Sequence, residues 1–422
     1  MQRLRNVYIK FDLKILLQYF LIILAILQCN TVFFREYGTI HSKIVVLLFI
    51  VVMLSLLFIS TLEGIKKRIN LKPILIFLIC FGGLLIIFLI ISFIRRNFSI
   101  SSIFMLLIPL FMVPSMYVDY QNGNVDRILQ TFKNIVVILA CVSLVFWLLA
   151  MFGLNTNTTK LVSWGGVRSV YGYSFLHYIS QGSVNFLGLP RVIRNTGIFV
   201  EAPMYSYVLC MAMLVSIFLE KRDIAFSWKT WILMITILTT TSSTGAIILA
   251  VTIFVRLTFF NKKTHFSIKI LLVVLLIPVL LIIIANVISK KVDANWYSSS
   301  SVRYNDFMAG FLAWRLHPWL GNGFGNYSVL VSNMDYRRLI NNFNTGFSTG
   351  FMEMLAYGGI PAGMYYISPV AILLFKNRKL FVFSAIVFLL FVFTLVNDVY
   401  INYIFISYFW TIIIDKNERD RL

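Results

Sequence analysis

Two segments of the chain combine arginine with a carboxylate, a pattern suited to transferring a group from a phosphate to a hydroxyl. Arg191, Arg194 and Glu201 precede one apolar run, and Arg303 and Asp306 lie three residues apart in a later polar segment. A guanidinium is the natural partner of a phosphate, and a nearby carboxylate can take a proton from an attacking hydroxyl. Arg194 and Glu201 are seven residues apart, which predicts two turns on one face of a helix.

Glu353 is a third candidate, because it is the acidic residue of the glycine-rich segment 346–363. We expect Glu201 and Glu353 to lie in the outer leaflet of a membrane. An ionisable residue at that depth is a functional hypothesis by default. A purely structural pair of Arg194 with Glu201 is the alternative.

Two long polar segments, 153–195 and 290–347, surround these candidates and are both basic. The first has four basic residues and no acidic one, and it includes Arg168 and His177. The second has six basic and three acidic residues, and its Tyr304 could stack on a sugar ring. Contact of the basic residues with lipid headgroups is the alternative, which we prefer for Lys290 and Lys291.

Composition places this chemistry in a membrane. The 422 residues are 59% hydrophobic and 13% charged, with a mean hydropathy of +0.87, whereas a soluble domain carries roughly 25% charged residues. These values exclude a soluble enzyme and a disordered chain. The net charge of +21 therefore indicates mainly a cytoplasmic excess of Lys and Arg rather than a nucleic-acid surface. The four cysteines lie in apolar runs and the four histidines are scattered, so we predict no metal centre.

Apolar runs of about 20 residues predict membrane-spanning helices. One stretch, 229–258, is interrupted by a threonine- and serine-rich turn, which predicts two short helices. The total is 12 spans with both termini cytoplasmic, as the basic clusters indicate. The other runs are 13–33, 44–62, 73–94, 100–118, 133–152, 197–219, 268–289, 349–375, 380–396 and 399–414.

The predicted class is an all-α polytopic membrane protein with a large, partly helical outer loop. Its parts are N-terminal spans (1–152), a first outer loop (153–196), central spans (197–289), a large outer loop (290–348) and C-terminal spans (349–422).

Several sequence blocks resemble the O-antigen polymerase and O-antigen ligase superfamily of bacterial polysaccharide assembly. "RNTGIFVEAP" is similar to the block that leads into one span of that family. "SVRYNDFMAGFLAWRLHPWLGNGFGNY" resembles its external-loop block, in which a Pro-x-x-Gly-x-Gly-x-Gly run follows an arginine. "STGFMEMLAYGGIPAG" resembles the block that follows that loop, and "TTTSSTGAI" resembles the turn between its paired short helices.

The resemblance implies a glycosyltransferase with the C-type membrane fold, which needs no metal or other cofactor and works at the outer face of the bacterial inner or plasma membrane. It would move a glycan from undecaprenyl pyrophosphate to a sugar hydroxyl, with a chain-length regulator and a flippase as possible partners. Arg194 and Arg303 match family positions and would stabilise the leaving group, with help from Arg191. For the base we place Glu201 first and Asp306 second, followed by His177 and Glu353.

Departures from the family favour a polymerase over a ligase. The His-Asn pair that ligases carry falls on Ser348 and Thr349 here. The Glu-Pro pair is Glu-Ala-Pro, and neither Arg191 nor Arg194 is followed by glycine eleven residues on. A ligase-type transferase of the same fold remains one alternative, and a flippase for lipid-linked sugars remains another.

Overall fold

The computed structural model describes most of the chain and shows a helical bundle with a small strand region. The described residues are 12–95, 99–164, 166–186, 189–220, 227–260, 299–340, 346–394 and 398–414. The predicted span 268–289 and the start of the second polar segment lie outside them.

Five long helices form the N-terminal half, and each is too apolar to face water on all sides. They are α1 (Leu13–Gln28), α2 (His41–Lys66), α3 (Lys72–Ile94), α4 (Ile100–Gln121) and α5 (Arg127–Met151).

The remaining described α-helices follow the strand region. They are α6 (Ala202–Leu219), α7 (Trp228–Thr239), α8 (Ser243–Val255), α9 (Ser299–Leu316), α10 (Tyr327–Ser332), α11 (Tyr336–Ile340), α12 (Gly350–Lys376), α13 (Arg378–Phe393) and α14 (Tyr400–Ile414).

Six of the described helices are long and apolar enough to cross a membrane, namely α2 to α6 and α12. This supports a multi-pass membrane protein, while the predicted total of 12 spans stays a prediction. α6 is the central helix, since 89% of its apolar window is buried, against 28% for α2 and α3. The latter two therefore lie at the lipid-facing rim of the bundle.

The described residues between 158 and 193 form five short strands, so the all-α class predicted from the sequence is wrong for this segment. β1 (Thr158–Ser163), β2 (Val167–Tyr173) and β3 (His177–Ile179) form an antiparallel sheet. β4 (Ser183–Phe186) pairs antiparallel with β5 (Leu189–Ile193). Val162, Val170 and Tyr178 of the three-stranded sheet pack with Val32 and Val200 in a small apolar cluster.

The strands, the 29–40 connection and helices α9 to α11 all lie at one end of the bundle, which we call the loop end. Here the Val32 backbone N–H donates to the Ile198 carbonyl at 2.9 Å. At the opposite, far end, Lys14 lies 2.5 Å from Asp119 and 2.9 Å from Glu63. These ion pairs join α1 to α2 and α4.

The glycine run 321–325 docks the large polar segment against α12. Gly321 and Gly359 both have positive φ, +73° and +64°. A Cβ at Gly321 would lie 2.2 Å from the Tyr357 carbonyl oxygen, and one at Gly359 would lie 2.6 Å from the Trp319 backbone. The Gly323 N–H donates to Tyr357 at 3.0 Å. This run is therefore a packing joint that meets a kink in α12.

Candidate functional site

The turn between α7 and α8 is the centre of the candidate site. Thr240 ends α7, Thr241 adopts a positive φ of +53°, and Ser242 caps α8 by accepting from the Gly245 N–H at 3.4 Å. Gly245 permits close packing, because a Cβ there would lie 2.0 Å from the Ser206 hydroxyl on α6. The turn thus presents the N-terminal end of α8, which carries a partial positive charge.

Arg194 reaches this turn from the segment after β5. Its Nε donates to the Thr240 carbonyl oxygen at 3.3 Å and to the Thr241 hydroxyl at 3.0 Å. Neither terminal nitrogen of its guanidinium hydrogen-bonds to the described residues. Burial lowers the pKa of Arg194 while Glu201 opposes that effect, and an arginine side chain remains charged in either case.

Arg303 reaches the same turn from α9. Its Nη1 donates to the Thr244 hydroxyl at 2.7 Å, and Thr244 lies in the first turn of α8. Burial lowers the pKa of Arg303, and Asp306 raises it. Two arginines that are distant in sequence are therefore anchored to one turn, where two guanidinium charges and a helix N-terminus favour an anion.

Glu201 is the N-cap residue of α6 rather than a residue within a helix. The predicted span 197–219 therefore begins five residues too early, and the predicted helical face shared by Arg194 and Glu201 does not exist. Gly197, with a positive φ of +54°, helps turn the chain between them. The Glu201 carboxylate makes no cap hydrogen bond and no ion pair with the described residues, and its effect on Arg194 is longer-range Coulomb attraction.

Asp306 is fully buried and has a structural set of partners. It lies 2.6 Å from the Arg338 guanidinium and accepts from the Ser348 N–H at 2.9 Å and from the Ser348 hydroxyl at 2.6 Å. Burial raises the pKa of Asp306, although Ser348 and Arg338 lower it. Since both carboxylate oxygens already have donors, this geometry favours Asp306 as the residue that fastens α9 to the start of α12. Ser348, at the position of the ligase histidine, belongs to the same contact.

His177 is buried among aromatic side chains. It is 0% exposed, and its ring stacks with Phe146 and lies near Tyr173. Neither ring nitrogen has a hydrogen-bond partner among the described residues, and burial lowers the pKa of His177 to about 4. A buried neutral imidazole without access to solvent is better suited to packing than to proton transfer.

The other predicted contact residues are spread around the loop end. Arg168 donates to the Val200 carbonyl oxygen at 3.2 Å, next to Glu201. Arg191 is exposed on β5, and Tyr304 is 57% exposed on α9. The structure places none of these three at the α7–α8 turn.

Glu353 is buried in the first turn of α12, one helical turn before Tyr357. Burial raises the pKa of Tyr327 on α10, and the charges of Glu353 and Asp306 raise it further. Tyr327 thus connects the neighbourhood of Asp306 with that of Glu353.

Sequence reasoning missed the roles of Thr244 and Arg338. The sequence marks Thr244 only as part of a turn and Arg338 only as part of a basic loop. Among the residues that the structure describes, no group of three or more His, Cys, Asp or Glu side chains could hold a metal ion.

Comparison with known families matches one domain of the chain. Residues 229–367 match the family described as O-antigen ligase. The match runs from α7 into α12 and includes the α7–α8 turn and Arg303, but Arg194 and Glu201 precede it. It confirms the predicted resemblance to the O-antigen ligase and polymerase superfamily and supports a glycosyltransferase-type function at that level. No curated protein matches the chain.

Proposed function

From the premise that residues 229–367 match the O-antigen ligase family, we propose that the protein polymerises lipid-linked oligosaccharide repeats into a surface polysaccharide. The donor is a glycan on undecaprenyl pyrophosphate, and the acceptor is a sugar hydroxyl of a second lipid-linked repeat. The observation that carries the proposal is the convergence of Arg194 and Arg303 on the α7–α8 turn.

The two arginines bind the pyrophosphate of the donor. As the glycosidic bond to the pyrophosphate breaks, negative charge grows on the leaving oxygen. Fixed guanidinium donors at the N-terminal end of α8 stabilise that charge without having to reorganise. The proposed chemistry draws its charge compensation from these side chains and requires no metal ion.

Glu201 is the proposed base. The Glu201 carboxylate has no partner among the described residues. Both carboxylate oxygens of Asp306 already accept hydrogen bonds, and His177 is buried away from solvent. The acceptor hydroxyl attacks the anomeric carbon of the donor, and its proton passes to Glu201. The bond from that carbon to the pyrophosphate oxygen breaks, and the electron pair leaves with the pyrophosphate.

The loop end is proposed to face outward from the cytoplasmic membrane. The far end carries the basic cluster Lys66, Lys67 and Arg68, as expected for a cytoplasmic surface. This orientation places the site at the outer face, where lipid-linked repeats are joined.

The test is complementation of a deletion strain at matched expression. Wild type and Arg315→Ala should restore long polysaccharide chains, since Arg315 is an exposed arginine on α9. Arg194→Ala and Arg303→Ala should leave single lipid-linked repeats on the outer face.

Other distributions of product would identify other functions. Repeats trapped on the inner face would indicate a flippase. Long chains that form but stay on their lipid would indicate a ligase. Full-length chains in both arginine variants would contradict the assigned site.

A further inference from the structure

The proposed base, Glu201, stands at the start of α6 without capping it. Its backbone is extended, with φ −139° and ψ 140°, and its side chain accepts no hydrogen bond from the first turn of α6. Two other N-cap residues behave differently, because Asp12 and Asn377 each accept from two N–H groups of the helices that they begin. The unpaired N–H groups of a helix start normally draw such an acceptor. The start of α6 must therefore be satisfied in another way.

Gln181, two residues after β3, supplies the acceptor. Its Oε1 accepts from the N–H of Ala202, the first residue of α6, at 3.1 Å. Ala202 is fully buried, so this N–H needs a partner within the protein. The next residue, Pro203, has no N–H to pair. Of the three N–H positions in the first turn, one is taken by Gln181 and one is absent, so the turn makes little demand on the Glu201 carboxylate.

The main chain on both sides of Glu201 is held as well. Before it, the Val200 carbonyl oxygen accepts from Arg168 of β2 at 3.2 Å, and the Val200 N–H donates to the Asn30 carbonyl oxygen at 3.0 Å. At Glu201 itself, the carbonyl oxygen accepts from the Tyr205 N–H at 3.2 Å. The backbone of Glu201 is therefore fixed, while its carboxylate makes no hydrogen bond or ion pair with the described residues.

The strand region brings Gln181 within reach of α6. The Tyr178 N–H on β3 donates to the Gly197 carbonyl oxygen at 2.8 Å. The Thr196 hydroxyl donates to the Tyr178 carbonyl oxygen at 2.5 Å. β3 thus runs beside the segment that leads into α6, and the chain after β3 places the Gln181 amide at the helix start.

Loss of the Gln181 oxygen would leave a buried N–H next to a carboxylate. A buried N–H without an acceptor is unfavourable, and a negative charge is favoured at a helix N-terminus. The Glu201 side chain would then turn back to the Ala202 N–H. A general base acts only within hydrogen-bond reach of the proton that it takes, so this turn would withdraw Glu201 from the acceptor hydroxyl.

We propose that Gln181 is a positioning residue for the transfer reaction. By capping α6 in place of Glu201, it keeps the Glu201 carboxylate available to take the proton of the acceptor hydroxyl. This role rests on the proposed function, in which Glu201 is the base. It deepens that function by giving the strand region a part in the reaction.

The test measures initial rates of polymer formation by the purified full-length protein, with the lipid-linked repeat as substrate. Gln181→Met removes the acceptor oxygen but keeps the length of the side chain. Its kcat should fall on the order of tenfold, while the KM for the lipid-linked repeat stays unchanged because Arg194 and Arg303 are intact. Gln130→Met is the matched control, since Gln130 accepts from Lys133 at 2.6 Å at the far end, and it should keep the wild-type kcat.

A double-mutant cycle separates positioning from a general structural role. In a Glu201→Gln background, Gln181→Met should not lower the rate further, because a residue that acts through Glu201 then has no base to position. A further loss of the same size would show that Gln181 acts on the fold instead, and it would overturn the assignment.

An unchanged kcat in folded Gln181→Met also overturns it. If Gln181→Met does not elute as a folded protein, Gln181→Asn replaces it, because its side chain is one methylene too short to reach Ala202. An unchanged kcat in folded Gln181→Asn then overturns the assignment.

Chemical labelling distinguishes failure of this role from failure of the proposed function. A water-soluble carbodiimide with an added amine should modify Glu201 faster in wild type than in Gln181→Met, as read by mass spectrometry, since the carboxylate is engaged with the helix only in the variant. This difference, in a wild-type protein that forms no polymer, contradicts the proposed function alone. Equal labelling and equal kcat, in a wild-type protein that does polymerise, contradict the role of Gln181 alone.

Discussion

At the scale of single residues, the hydrogen bonds that hold Arg194 and Arg303 in place matter as much as their charge. Each guanidinium donates from one nitrogen to the α7–α8 turn, which leaves its other nitrogens to bind a ligand. Removing the anchor should therefore impair the site even when the arginine is kept, because a mobile guanidinium must be ordered each time it binds.

Thr244→Val tests this anchoring. The change removes the hydroxyl that accepts from Arg303 at 2.7 Å but keeps the side-chain shape. We expect transfer to fall by about tenfold, in line with the loss of one hydrogen bond to a charged group. The readout is the initial rate of polymer formation by the purified protein.

Thr252→Val is the control, because Thr252 lies on the same helix and donates only to the Ile248 carbonyl oxygen. It should keep the wild-type rate. Equal rates in both valine variants would show that the Thr244 contact does not order Arg303.

His177 gives a prediction about pH. Its pKa is about 4 in the folded protein and near 6.5 when unfolded. The unfolded state therefore binds more protons between these values, so stability is complete above pH 6.5 and falls as the pH drops toward 4. The loss from this residue should be on the order of 2 kcal/mol by pH 4.5.

His177→Phe should remove that share of the acid sensitivity and leave transfer at pH 7 intact, since its neighbours are aromatic. Thermal unfolding in detergent at pH 7 and pH 4.5 measures the first effect. A folded His177→Phe protein without activity would instead support His177 as the base.

At the scale of elements, hydropathy predicted the long helices because each is apolar over most of its length. The strand region was missed because its segments are short and only half-buried, so the apolar runs around them dominated the pattern. The start of α6 was misplaced because Gly197 to Val200 is apolar but lies in a turn. No local pattern could show that Arg194 and Arg303 meet at one turn, since tertiary packing brings them together.

The contribution of the contact between the glycine run and α12 can be measured by comparing an alanine at Gly321 with an alanine at Gly38. Gly321 and Gly38 share a φ of +73°, so alanine strains the backbone equally at both. Only at Gly321 does a Cβ meet backbone, at 2.2 Å, while nothing lies within 4 Å of one at Gly38. Gly321→Ala should therefore lower the unfolding midpoint clearly more than Gly38→Ala. Equal shifts would mean that the joint contributes little beyond backbone strain.

At the scale of the whole molecule, the proposed reaction requires the loop end to face outward. Ser169 is exposed on β2 at the loop end, and Asn124 is exposed in the connection between α4 and α5 at the far end. In a variant without the four native cysteines, a membrane-impermeant maleimide added to spheroplasts should label Ser169→Cys and spare Asn124→Cys. The reverse pattern would place the site in the cytoplasm and exclude the proposed reaction.

Above all, the proposed function requires that Arg303, held at the α7–α8 turn, promotes glycan transfer from a lipid pyrophosphate. The decisive experiment reconstitutes the purified protein in proteoliposomes with lipid-linked repeats and follows chain length and release of undecaprenyl pyrophosphate together. Wild type and Arg315→Ala should produce a ladder of chains with one pyrophosphate released per bond, and Arg303→Ala should be slower by on the order of a hundredfold. A wild-type ladder from Arg303→Ala, or single repeats only from wild type, would contradict this role of Arg303.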